Sequence, residues 1–213
     1  MPNFEKIRNE LMSESRFRAW YQTATPEEKE LSNRVYDLGD QFFGDMLFWK
    51  GSITHDYVAC QAKDRDGEWE NITMDLPPAL DLFSYSYFTY HVADLGVAAG
   101  GFNEEAFSLT VAPDHANDDV VILHEMIHLH EFVLEILPMY FHDAVLFCLY
   151  KDLQNKIDDL DQRIEAHGHI LNSSSIANIG GTHDILFLLK SFDLDLKNGY
   201  KLGTVFGYGM ANE

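Results

Sequence analysis

Apolar residues recur at helical spacing through FEKIRNELMSESRFRAWY (residues 4–21) and TPEEKELSNRVYDLGDQFFGDMLFW (25–49), which predicts two amino-terminal helices. Thr25 stands as an N-cap ahead of Pro26, and Gly51 follows the second run. From 56 to 76 the pattern becomes alternation, DYVACQAKDRDGEWENITMDL, folded about the turn signal DRDG and closed by Pro77 and Pro78. FTYHVADLGVAAGGF and AFSLTVA then read as two strands, or as a strand and a ragged turn, with the bend at Gly100 and Gly101. The aromatic cluster Phe83, Tyr85, Tyr87, Phe88 and Tyr90 in this region reads as core.

The segment NDDVVILHEMIHLHEFVLEIL (117–137) changes the pattern again. Asn117 can cap it, Asp118 and Asp119 suit the positive end of a helix dipole, and Pro138 stops it. Because it is apolar around most of its circumference, it should be a central, buried helix. A second long helix is expected from about Asp143, carried by the stripe Leu149, Leu153, Ile157, Leu160, Ile164 and Leu171 with DDLDQR on a solvated face. LNSSSIANIGGTH reads as a loop or linker, and DILFLLKSFDLDLKNG as a terminal helix closed by Asn198 and Gly199.

The chain has 213 residues, of which 46% are apolar, enough for one domain with a real core. The expected division is an amino-terminal helical segment (1–50) packed on a core (51–172), with a loop and final helix (173–213) belonging to the same domain. Cys60 and Cys148 lie in unrelated segments, which leaves no disulfide framework or Cys-rich zinc ribbon; both are expected to be buried thiols. No apolar leader opens the chain and no run is long enough to span a bilayer, so a soluble cytoplasmic protein is expected. The formal charge is −20, and residues 66–150 hold many carboxylates with no Lys or Arg. Such a segment cannot neutralise phosphates, which disfavours nucleic acid as a partner, but it attracts metal ions and basic substrates.

The candidate chemistry lies in HEMIH, residues 124–128. His124 and His128 are one helical turn apart on one face, so both imidazoles can reach a single zinc ion. Glu125 lies beside the first of them, where it can take a proton from water without occupying the metal. A bound Zn2+ lowers the pKa of water to about 7 and polarises a carbonyl, the requirements for hydrolysing a peptide bond at neutral pH. Glu125 and His128 also form Glu-x-x-His, half of a di-iron bundle motif, but the second half is missing: Glu165 is followed by His167 and His169 at the wrong spacings. His130 falls on another face of the helix and reads as a surface or hydrogen-bonded histidine.

A catalytic zinc needs a third protein ligand. Downstream candidates are Glu131, His142, Asp143, Glu165, His167, His169 and Asp184. Glu131 and Glu135 continue the helix too far to converge on one point, whereas His142, beyond Pro138, can face back towards the site. HEMIH followed by HDAVLF, with Asp143, Leu146 and Phe147 after the histidine, resembles the SprT-like zincin metallopeptidases. Their pattern is HExxH, then a further His followed by a small or acidic residue and an aromatic four or five positions on. The stretch GVAAGGFNEEAFSLTVAPDHANDDVVIL is similar to the strands that precede the active-site helix in that family. The resemblance covers roughly residues 85–155 and implies His124, His128 and His142 as zinc ligands with Glu125 as general base. The basic or zinc-ribbon segments of the DNA-linked members are missing. GTHD at 181–184 is similar to the GTxD of aspzincins but lies over fifty residues beyond HEMIH and lacks the following Tyr-Gly; it reads as a loop leading to an N-cap, with His183 able to approach the site.

The expected fold is therefore α+β and zincin-like, with the active-site helix against a small mixed sheet and extra helices at both ends. The expected function is a zinc-dependent metallopeptidase acting on a peptide or protein, with a preference for Lys or Arg near the scissile bond. AFSLTVA is expected to be the edge strand that binds an extended peptide, and Tyr140 a candidate oxyanion stabiliser. The alternatives are a zinc-binding interaction module without proteolysis and a metal-free structural domain.

Overall fold

The computed structural model describes residues 14–44, 57–63, 69–75, 85–136, 139–171 and 183–207. Helices α1 (Glu14–Thr23) and α2 (Pro26–Phe42) come first, followed by the hairpin β1 (Tyr57–Lys63) and β2 (Trp69–Asp75). Strands β3 (Thr89–Val92), β4 (Gly100–Asn103) and β5 (Ser108–Val111) precede helices α3 (Asp119–Ile136), α4 (Met139–Gln154), α5 (Leu160–Leu171) and α6 (Ile185–Asn198). The fold is mixed, helices with a small sheet, as the α+β pattern predicts. No helix among the described residues is long and apolar enough to cross a membrane.

The junction of α1 and α2 is set locally. Thr25 and Glu28 form a capping box, the Thr25 side chain accepting from Glu28 N while Glu28 accepts from Thr25 N at 2.8 Å. The other Glu28 oxygen meets His91 Nδ1 at 3.1 Å, tying α2 to β3. A second tie runs from α2 to the start of α3, where Arg34 forks onto both oxygens of Asp119.

The three-stranded sheet has the order β3-β5-β4, with β3 parallel and β4 antiparallel to β5. AFSLTVA is therefore the central strand and not the edge strand expected from sequence. Its burial explains the difference: Ser108, Leu109 and Val111 are all buried, so the strand lacks the alternation of a half-exposed edge. The exposed edge next to α3 belongs to β4, which has no strand on its other side among the described residues. Tyr85, Phe88 and Tyr90 are buried, as expected of the aromatic cluster, while Phe83 lies outside the described residues.

Helix α3 runs through the middle. It touches β4 and β5 on one side and α2, α4 and α6 on others, which is why Val121, Ile122, Leu123, Met126, Ile127 and Leu129 are all buried. Its cap is Asp118, whose Oδ1 accepts from Val120 N at 3.0 Å, one residue after the expected Asn117. The long second helix expected from sequence is two helices. α4 starts at Met139, immediately beyond Pro138, and the chain turns after Gln154 before α5 begins at Leu160. Leu153, Ile157 and Leu160 stay buried across that turn, so the apolar stripe continues although the helix does not. Cys148 is exposed on the outer face of α4 instead of buried, and the side chain of Cys60 lies outside the described residues.

Helix α6 has the ends its sequence predicts: Asp184 caps it by accepting from Phe187 N, and Gly199 ends it in the left-handed conformation at φ 70°. Its interior carries a fully buried lysine. Lys190 Nζ donates to Phe42 O (2.6 Å) and Asp193 Oδ2 (2.8 Å) and lies over the Phe43 ring, locking α6 to the end of α2.

Candidate metal centre

Helix α3 places His124 and His128 one turn apart, and His183, two residues before α6, completes a triangle with them. One nitrogen from each of these three imidazoles lies within 4.8 Å of the others. The closest pair is His124 Nε2 and His183 Nε2, 3.2 Å apart, and the rings of His128 and His183 stack with centroids 5.1 Å apart. Phe187, one turn into α6, packs against all three rings. Asp184 caps α6, so it fixes the direction in which the preceding His183 leaves the helix.

The tautomers follow from the outer partners. His124 Nδ1 donates to the Val205 carbonyl at 2.8 Å, which leaves Nε2 bare and turned towards His183. Nδ1 of His128 lies 3.5 Å from Glu131 Oε2, so this buried carboxylate favours the proton on Nδ1 there as well. Burial lowers the pKa of His124 well below its usual value, His128 and His183 lower it further, and the Val205 carbonyl only partly opposes them. For His128, burial and then His183 bring the pKa down to about 3, against the opposing pull of Asp184. Burial lowers His183 too. Burial thus keeps the three imidazoles neutral, so that each has an unprotonated nitrogen that can serve as a metal ligand.

The other expected site residues lie elsewhere. His142 does not join the triangle. Because α4 begins already at Met139, position 142 falls in its first turn, and its Nε2 meets Asp184 Oδ2 at 3.2 Å. Burial would raise the Asp184 carboxyl, but His142 and the Phe187 N–H override it and hold its pKa below the usual value. Tyr140 also lies in that first turn, and its side chain is outside the described residues. His167 Nδ1 donates to Arg163 O within its own helix, and Glu165 is exposed. His130, expected at the surface or hydrogen-bonded, is buried: Nδ1 donates to Met126 O, Nε2 meets Tyr85 Oη at 3.0 Å, and the ring stacks on Phe43. Compared with family models, curated proteins and solved structures, the chain matches none.

His183, which the sequence leaves able to approach the site, also carries a motif signal that the sequence reading left aside. His183-Asp184 with Phe187 four positions on repeats the pattern seen at His142-Asp143 with Phe147 five positions on. Only the fold distinguishes the two copies, because both follow HEMIH.

Glu125 is buried against the edge strand. A β-carbon built on Gly100 of β4 would lie 2.7 Å from Glu125 Cγ and 2.8 Å from its Oε1, so any other residue here forces the Glu125 side chain or the strand to shift. Gly100→Ala should therefore displace the Glu125 carboxylate and lower any activity that depends on it by at least about tenfold, without altering the capacity of the three histidines to take up metal. Comparing the turnover and metal content of the two proteins checks this; equal turnover would show that the carboxylate position does not matter.

The depressed histidines give the metal-free protein a pH dependence of definite sign. Their folded-state values lie below the unfolded value of about 6.5, so the unfolded chain takes up protons first as pH falls. Stability is fully present above about pH 6.5 and declines towards pH 3, with His128 alone accounting for a loss of about 2 kcal/mol by pH 5. Urea unfolding of the chelator-treated protein at several pH values measures this, and a flat profile over that window would contradict it.

Proposed function

We propose that the chain is a zinc metallopeptidase of zincin-like fold, with His124, His128 and His183 as metal ligands and Glu125 as general base. The observation that carries the reading is the triangle itself. In a tetrahedral zinc site with bonds of about 2.0–2.1 Å, neighbouring nitrogens are about 3.3–3.4 Å apart; His124 Nε2 and His183 Nε2 are 3.2 Å apart, and a nitrogen of each of the three rings lies within 4.8 Å of the others. The set is all-imidazole, neutral and oriented by outer partners, and it supplies three protein ligands, as catalytic zinc sites do. The SprT-like pattern of HExxH and a later His, acidic residue and aromatic is met by His183, Asp184 and Phe187.

A zinc ion bound there supplies Lewis acidity for the scissile carbonyl and for the attacking water. The chain's own residues do the rest. Glu125, on the neighbouring face of α3, accepts the proton of the attacking water and returns it to the leaving amine. Gly100 lets the strand lie flat on that carboxylate, and an extended peptide added to the outer edge of β4 would pass beside it. The cation-free segment 66–150 favours Lys or Arg in the substrate. Elemental analysis of protein purified without added metal, with cleavage of a mixed peptide library, tests the reading. Zinc near one equivalent with cuts near basic residues is expected; no stoichiometric metal, or better cleavage at acidic sites, counts against the respective part.

A further inference from the structure

Asp195 lies in the last turn of α6, where the helix dipole disfavours an acid, and it is completely buried. Among the described residues it makes no ion pair. Its partners are three consecutive backbone N–H groups of the segment that follows α6: Gly203 (2.7 Å) and Thr204 (3.1 Å) on Oδ2, and Val205 (3.0 Å) on Oδ1. Burying a carboxylate is costly unless its lone pairs are satisfied, and here three successive N–H groups of one turn satisfy them, adding to the bonds that Lys201 O accepts from Thr204 within that turn. The turn includes Val205, also fully buried, whose carbonyl accepts the Nδ1 proton of His124 at 2.8 Å. The path from carboxylate to imidazole is thus one carboxylate, one short turn and one carbonyl. Gly203 allows the turn, since its φ of 92° is one that a side chain would strain.

We propose that Asp195 is a positioning residue for the metal centre: it holds the 203–205 turn so that the Val205 carbonyl keeps the proton of His124 on Nδ1 and leaves Nε2 free for the metal. This rests on the reading of His124 as a ligand. Without the carboxylate the carbonyl is released, and His124 can turn or place its proton on Nε2, the nitrogen the metal requires.

The test uses full-length protein labelled with nitrogen-15 in histidine, freed of metal, with two-bond proton–nitrogen NMR to assign each tautomer. His124 is expected as the Nδ1-H form in the wild type and to lose that preference in Asp195→Ala. Gly203→Ala, which strains the turn from its other end and spares the carboxylate, should act in the same direction. Leu31→Ala, in the core face of α2, is the control for lost stability alone and should keep the wild-type tautomer. Zinc affinity by competition should fall about 10- to 100-fold in Asp195→Ala, the range for outer partners of metal ligands, and stay within about twofold in Leu31→Ala. An unchanged His124 tautomer in folded Asp195→Ala overturns the proposal, as does an equal loss of affinity in Leu31→Ala; if Asp195→Ala does not fold, Gly203→Ala decides on the same readings. Wild-type protein that takes up no zinc overturns the metal reading instead, and the imidazole spectrum still decides whether Asp195 sets the tautomer.

Discussion

His183→Ala is expected to abolish zinc binding, whereas His142→Ala is expected to leave it intact. His183 contributes one of the three nitrogens of the triangle, and the two that remain, on adjacent turns of α3, cannot enclose an ion. The affinity should fall by more than about 100-fold, beyond what the loss of an outer partner produces. His142 lies outside the triangle and meets Asp184, the neighbour of His183, at 3.2 Å. Its removal costs one hydrogen bond to a carboxylate that also caps α6, so zinc content should stay near the wild-type value and affinity within about tenfold. Zinc content by elemental analysis and affinity by chelator competition, on both variants purified in parallel, give the answer. Full zinc in His183→Ala would remove His183 from the ligand set, and zinc lost only in His142→Ala would restore the assignment that the sequence alone favours.

That pair of variants marks where sequence reasoning stops. HEMIH could be placed because its chemistry is local: two turns of one capped, uniformly apolar helix fix the relation of His124, Glu125 and His128 before any tertiary contact forms. The ends of α6 were equally legible, since Asp184 and Gly199 act on their own helix. The third imidazole is a tertiary fact. Both His142 and His183 are followed by aspartate and an aromatic residue, and both stand near the start of a helix. His183 reaches the triangle because α6 crosses α3 and presents its N-terminus there, while the start of α4 faces Asp184.

The other differences have the same origin. AFSLTVA has the composition of a strand at either position, and only the parallel pairing of β3 with β5, around the intervening β4, makes it central. The turn between α4 and α5 is hidden because Leu153, Ile157 and Leu160 remain buried through it, so the stripe that predicts one helix is satisfied by two. His130 is hydrogen-bonded, one of the two expectations for it, but its burial was not legible in the sequence. Its partners Tyr85 and Phe43 come from distant segments, and no helical periodicity announces them.

Glu125→Gln should slow peptide hydrolysis by orders of magnitude and leave zinc binding intact. The amide is nearly the shape of the carboxylate, so the contact with Gly100 survives, and the ligand nitrogens of His124, His128 and His183 are untouched. What is lost is the capacity to take a proton. General-base catalysis contributes about 10^2- to 10^4-fold, which sets the expected fall in kcat and corresponds to about 3 to 5 kcal/mol in the barrier. KM should change little, because the group acts on the transition state and not on substrate binding. The measurement is single-peptide kinetics on wild type and variant matched for zinc content, with the melting temperature as a control for folding. Cleavage that persists in the variant would assign the activity to another group or to a contaminant. Zinc-loaded wild type that cuts no peptide, while Glu125→Gln keeps the protein's biological activity, would instead favour an interaction module built on the same three histidines.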